Sequence, residues 1–158
     1  MNNQKGFTLI ELMVTLTVLG IVLAWAIPSF STILSNNRLE TAAHELHGAL
    51  QLARSEAVKR REGVRLCALV DGDMDECATD ADWSEGWLMV AGNEVLRVWQ
   101  MTGDLDIAGP ADGITFGSSG MSGGAADFAV SGAACVGDQK RELKVSPVGQ
   151  VTLRRGEC

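Results

Sequence analysis

Phe7-Thr8-Leu9-Ile10-Glu11-Leu12-Met13-Val14-Thr15-Leu16-Thr17-Val18-Leu19-Gly20-Ile21-Val22-Leu23-Ala24-Trp25-Ala26-Ile27 is apolar except for Glu11, three threonines and Gly20. As a helix these roughly 21 residues measure about 31 Å, the thickness of a bilayer's hydrocarbon core. Only six residues precede the run, with a single positive charge at Lys5. A secretory signal peptide would place a small-residue cleavage site after the apolar stretch. Here the run passes through Pro28 into more helical sequence, so 7–27 reads as a transmembrane helix. The positive-inside rule keeps Lys5 cytoplasmic and puts the chain beyond Ile27 outside. Glu11 is the anomaly, because an acidic residue at the centre of a membrane helix costs about 2.5–3.5 kcal/mol, and less near the interface. It reads either as a carboxylate that needs a partner or as one that reaches the headgroups.

Beyond Pro28, Leu39, Ala43, Leu46, Leu50, Ala53 and Ala57 recur at alternating spacings of four and three, making one apolar helix face. Arg38, Glu45, Arg54 and Lys59 lie elsewhere around that helix, and Gly63 is expected to end it. An amphipathic stem helix over 28–62 follows, continuous with the membrane segment. After Gly63 the period becomes two. Val64, Leu66, Ala68 and Val70 alternate as a strand. The runs 86–90 and 95–99 flank Gly92-Asn93 as a hairpin. Shorter strands are expected near 114–116 and 127–130. A last hairpin joins 142–146 to 150–154 around Pro147-Val148-Gly149. The fold class is α+β: a long N-terminal helix packed on a mostly antiparallel β head over 63–158.

Charge follows the same division. Residues 1–63 carry six Lys/Arg against five Asp/Glu, and residues 64–158 carry seven against fifteen. The acidic head argues against tight, non-specific DNA binding, which depends on Lys and Arg neutralising phosphates. Cys67, Cys77, Cys135 and Cys158 all lie in the head. Beyond a membrane segment, an even number suggests disulfides in an oxidising compartment. Four cysteines allow three pairings, and the local one, Cys67–Cys77 with Cys135–Cys158, is expected because each bond closes a short loop or ties a terminus. No CxxC or Cys/His spacing supports the rival zinc reading.

Lys5-Gly6-Phe7-Thr8-Leu9-Ile10-Glu11 resembles the class III signal of type IV pilins and type II secretion pseudopilins. The resemblance implies that 1–6 is a leader, that a prepilin peptidase cuts between Gly6 and Phe7, and that the new Phe7 terminus is N-methylated. Glu11 would then meet the Phe7 amine of a neighbouring subunit and set its register in the filament. Pro28 also matches the family, and its missing hydrogen bond favours a kink there. Ala53-Arg54-Ser55-Glu56-Ala57, Leu66-Cys67 and Trp83-Ser84-Glu85-Gly86-Trp87 resemble the GspH/FimT branch of minor pilins and pseudopilins. Most of the chain shares the likeness, strongly over the first hundred residues and loosely after them. It implies the pilin fold and a structural subunit in contact with other pilins or pseudopilins, the peptidase and the inner membrane. The implied location is a single-pass inner-membrane protein with a periplasmic head, later part of a pilus or pseudopilus. Pro28 and the two disulfides lean toward a minor pilin of the FimU/FimT kind, with the H-type pseudopilin of type II secretion as the alternative.

A second alternative is DNA uptake. Some FimT-type pilins carry a Gly-Arg-x-Arg signature near the C-terminus, but here Gln150 follows Gly149 and breaks it. Arg154 and Arg155 would join Lys140, Arg141 and Lys144 in a basic patch only if the last hairpin gathers them; compensating charges on a solvated hairpin are the favoured reading. Asp71-Gly72-Asp73-Met74-Asp75 opens like a calcium loop, but an EF-hand's sixth and twelfth positions hold Glu76 and Asp82 instead of Gly and Glu. It reads as a solvated acidic loop closed by Cys67–Cys77. His44 and His47 share a helix face without a third ligand, so no metal site is expected. No nucleophile motif or phosphate-binding glycine loop appears, and no cofactor or enzymatic activity is expected.

Overall fold

The structure, a computed structural model, describes residues 8–70, 73–80, 82–132 and 135–158, without the side chains of 25–32, 73 and 74. The chain divides into two compact units, residues 1–37 and Arg38–Cys158. Helix α1 covers Leu9–Arg60 and so belongs to both. In the first unit its apolar side chains are exposed, Leu9 at 76% and Ile21 at 62%. Among the described residues no helix is long and apolar enough to cross a membrane. The apolar run read in the sequence begins and ends in residues whose side chains lie outside that description.

In the second unit α1 buries the expected face. Leu39, Ala43, Leu46, Leu50, Ala53 and Ala57 are all buried, and Ala42 and Ala49 widen the stripe. The alanines let the helix lie close to the sheets it covers. The helix ends within two residues of the expected bound at 62. It ends at Arg60, and Arg61 takes a left-handed φ of 59°. This is the conformation that usually ends helices at glycine, and a side chain there costs about 1 kcal/mol.

Among the described residues nine strands follow: β1 Val64–Val70, β2 Asp73–Cys77, β3 Gly86–Ala91, β4 Glu94–Gln100, β5 Leu105–Ala108, β6 Ile114–Phe116, β7 Ala126–Gly132, β8 Lys140–Val145 and β9 Val151–Gly156. They form two antiparallel sheets. One runs β2-β1-β3-β4 with β6 also paired to β1, and the other runs β5-β7-β8-β9. Both hairpins read from the sequence are present. Trp87 opposes Trp99 across β3–β4, and Leu143 opposes Leu153 across β8–β9. At the second turn the Gly149 N–H donates to Ser146 O at 2.8 Å, and Gly149 has φ +77°. An added Cβ there would stand 2.1 Å from Gly120 O, so the turn also needs glycine for its packing.

One expectation fails in the head. Segment 73–77 is not loop but β2, whose Cys77 pairs with Leu69 of β1. Its acidic residues carry no apolar alternation, so the strand had no signature; pairing and the disulfide hold it. β1 is buried on both faces. Val64, Leu66 and Ala68 enter the main core, while Cys67 and Leu69 join Leu88 in a second buried cluster on the other face. The turn before β6 closes over that face: Gly113 packs on Cys67, and Arg65 Nε donates to Asp112 O at 2.9 Å.

Candidate functional site

The helix start is built by two residues. The Thr8 hydroxyl accepts the Glu11 N–H at 3.3 Å, while Glu11 Oε2 accepts the Thr8 N–H and hydroxyl, each at 3.5 Å. This is a capping box, in which residues three apart satisfy each other's orphan backbone donors. Its Thr-x-x-Glu spacing stood in the sequence, hidden by the reading of Glu11 as a lone charge in an apolar run. The carboxylate is thereby held at the first turn of α1. Gly6 and Phe7, the expected processing pair, lie outside the described residues. Pro28 lies within α1, and its side chain is outside the description.

Among the described residues three cations bind the stem's second half to the head. Arg141, buried on β8, donates through Nε to Glu40 Oε2 at 2.7 Å, and its Nη1 reaches the carbonyls of Asp138 and Lys140 at 2.9 and 3.0 Å. The hydrogen bond from Arg141 holds the Glu40 carboxyl below its usual range; partial burial opposes the shift, and the Arg141 and His44 charges assist it. Arg54 donates Nε to Gly120 O at 2.9 Å and Nη2 to Val148 O at 3.1 Å, closing two turns onto one helix face. Arg60 bridges Glu56 at 3.1 Å and Glu94 of β4 at 3.0 Å. No local pattern announces these links to the head, since the head partners lie 34 to 101 residues away.

The five bases considered for DNA do not form one patch. Along β8 the alternation buries Arg141, Leu143 and Val145 and turns Lys140, Glu142 and Lys144 outward. Arg154 opposes Glu142 on that outer face, whereas Arg155 opposes Arg141 on the other. Lys140 is paired with Glu142 at 3.5 Å, and Lys144 with Asp127 at 3.7 Å. Arg141 is committed to Glu40, so only Arg154 and Arg155 remain as exposed bases on the hairpin without a carboxylate partner among the described residues.

The cysteines are bonded as Cys67–Cys77, which joins β1 to β2, and Cys135–Cys158, which ties the C-terminal residue back. Trp83 links the two sheets. Its backbone N–H donates to Ile107 O in β5 at 2.7 Å, its indole N–H to Pro110 O at 3.3 Å, and its ring meets Phe128 of β7 edge-on at 4.9 Å. The Asp82 carboxyl is held below its usual range by hydrogen bonds to the Ser84 hydroxyl and N–H. His44 lies 3.3 Å from Glu40, and His47 is 3.3 Å from Gln51. Among the described residues no group of side chains is arranged to hold a metal; Asp71 and Gly72 lie outside them.

An N-terminal helix, its second half packed on the sheets, followed by an antiparallel β head is the pilin arrangement. The chain belongs to the family described as Type II transport protein GspH, whose model matches residues 42–149. A model of the prokaryotic N-terminal methylation motif matches residues 1–27. The type IV minor pilin FimU of Pseudomonas aeruginosa has a solved structure 28% identical to this chain, with a TM-score of 0.60 over 75% of this chain and 89% of that one. The minor pseudopilin EpsH from the Type 2 Secretion System of Vibrio cholerae is 13% identical, with a TM-score of 0.55 over 75% and 97%, and shares the fold. Prepilin peptidase-dependent protein D of Escherichia coli is 42% identical over 77 residues, 49% of this chain and 45% of that protein. The chain spans about half the length of the curated relatives it matches, such as the 56% covered of a Pseudomonas aeruginosa fimbrial protein.

Proposed function

We propose that this chain is a minor structural subunit of a type IV pilus, assembled from the inner membrane with its head in the periplasm. A prepilin peptidase removes residues 1–6, the Phe7 amine is methylated, and 7–27 holds the subunit in the membrane until it enters the filament. The observation that carries the reading is the conjunction, in one chain, of a methylation-motif match over residues 1–27 and a head that resembles FimU at 28% identity. In this reading Glu11 acts through the carboxylate that the capping box holds in place. Held at the first helical turn, its carboxylate meets the ammonium of an incoming or neighbouring Phe7, and the pair sets axial register in an apolar bundle. The head's tasks are then mechanical: a rigid, disulfide-tied surface for contact with other minor subunits. No enzymatic step is assigned to it.

A second reading keeps this architecture but places it in type II secretion, as an H-type pseudopilin, and it is favoured by the description of the matching family. DNA uptake is less well supported, because the last hairpin divides its bases between two faces and pairs three of the five. The processing claim is tested by co-expression with a prepilin peptidase. Gly6→Val should leave the leader attached while the unaltered chain is shortened by six residues. A normally shortened Gly6→Val product would refute the site.

A further inference from the structure

β9 ends the second sheet, and beyond it no strand pairs among the described residues. Ser146 N–H donates to Gln150 O at 2.9 Å, so by antiparallel alternation Gln150, Thr152 and Arg154 turn their N–H and C=O groups toward β8. Those of Val151, Leu153 and Arg155 point outward, and no partner meets them among the described residues. The open edge stops after Arg155. Cys158 N–H donates to Gly137 O at 2.9 Å and its sulfur is bonded to Cys135, so Glu157 sits at a tied end. Val151 and Leu153 pack against the main core. A groove of about 700 Å³ lies beside the start of this edge, with Gln51, Ser55, Val58 and Lys59 of α1 on one side and Gln150 and Val151 on the other. No acidic residue lines it. Lys59 is shared with Glu56 at 3.2 Å, but Arg54, also in the groove, spends its hydrogen bonds on the neutral carbonyls of Gly120 and Val148. Further along β9, Arg154 and Arg155 are exposed and have no carboxylate partner among the described residues. Unused backbone groups and uncompensated positive charge thus coincide on one edge of an otherwise acidic head.

We infer that β9 takes up an extended, acidic segment of a different chain as an added strand. Hydrogen bonds to the outward N–H and C=O groups of Val151, Leu153 and Arg155 supply the contact. The groove receives a side chain of the segment against Val58 and Val151. Carboxylates toward the two ends of the segment face Arg54 at one end and Arg154 and Arg155 at the other, and charge thereby chooses the occupant. A second β9 would oppose arginine to arginine, which is destabilising, and charges on an edge strand commonly keep copies apart in this way. An acidic strand meets no such repulsion. Duplex DNA would engage the bases but leave the outward carbonyls of β9 unpaired, and so few bases would neutralise few phosphates. The chemistry of the edge holds whichever machine the chain serves; that the segment belongs to a neighbouring subunit rests on the proposed place in a filament.

The head from Arg38 onward contains every buried core residue and both disulfides, so it is tested as a separate domain. The probe is a blocked peptide of alternating valine and threonine with a glutamate near each end, titrated into the oxidised, isotope-labelled head and followed by NMR. Amides of Val151, Leu153 and Arg155 should shift and exchange more slowly, while those of Thr152 and Arg154, already turned toward β8, should exchange as before. Lysines in place of the peptide's glutamates, or high salt in place of low, should weaken binding about tenfold or more. N-methylation of alternate peptide amides should abolish it. Arg154→Glu/Arg155→Glu should reverse the preference, losing the glutamate peptide and gaining the lysine one, with circular dichroism and a melt matching the parent to show that it is folded. A glutamate peptide without effect on β9, or binding indifferent to N-methylation or to the sign of the charge, would overturn the inference. So would salt-sensitive binding of duplex DNA through Arg154 and Arg155 with no peptide bound, which would give the edge to nucleic acid. None of these outcomes bears on cleavage after Gly6 or register through Glu11, which are read on the full chain.

Discussion

Glu40 and Arg141 show how one distant pair fixes a helix on a sheet. Arg141 is buried, and two of its three acceptors are carbonyls, so Glu40 supplies the compensating charge. Glu40→Gln should cost about 1–2 kcal/mol at neutral pH, read from urea unfolding of the head. The sign with pH follows from the lowered carboxyl. A carboxylate bound more strongly when folded stabilises fully above its ordinary value of 4.5, and that stabilisation fades as pH falls through the lower folded value. The gap between parent and Glu40→Gln should therefore close below about pH 4.5; a gap constant down to pH 3 would deny the ion pair its role. Gly149 is the other residue whose identity is forced. With φ +77° and Gly120 O only 2.1 Å from where a Cβ would stand, Gly149→Ala should lose about 2 kcal/mol or more, and a melt unchanged within error would contradict the packing.

At the scale of elements, the end of α1 offers the clearest case for improvement. Arg61 holds a left-handed φ of 59° that glycine adopts freely, although glycine also loosens the unfolded chain. Arg61→Gly should raise the head's stability by a few tenths to about 1 kcal/mol, and a loss would mean the Arg61 side chain makes a contact of greater worth. The elements legible in the sequence were those with a period or a turn code: the stripe from Leu39 to Ala57, the Gly92-Asn93 hairpin and the Pro147-Val148-Gly149 turn. β2 and β5 were not legible. Asp73-Met74-Asp75-Glu76-Cys77 and Leu105-Asp106-Ile107-Ala108 are short edge strands defined by the neighbour that pairs with them, so pairing rather than pattern decides them.

For the whole molecule, residues 5–11 were the most informative, and what they carry is chemistry rather than packing. The spacing of Thr8 and Glu11 gives a cap, while the apolar run around them carries the proposed anchor. What could not be read was how the head's charges are spent. Arg141 and Arg155 look alike along the chain, yet one is buried on Glu40 and the other lies exposed on β9, because strand alternation and a partner 101 residues away decide between them. The account's central claim is that this chain is a processed filament subunit registered by Glu11. Its most direct test is mass spectrometry of filaments sheared from cells expressing the tagged chain, alongside a Glu11→Ala form. The account predicts the parent in the filament fraction beginning at a methylated Phe7, with Glu11→Ala processed but left in the membrane. A parent chain absent from filaments, or Glu11→Ala incorporated as well as the parent, would contradict it.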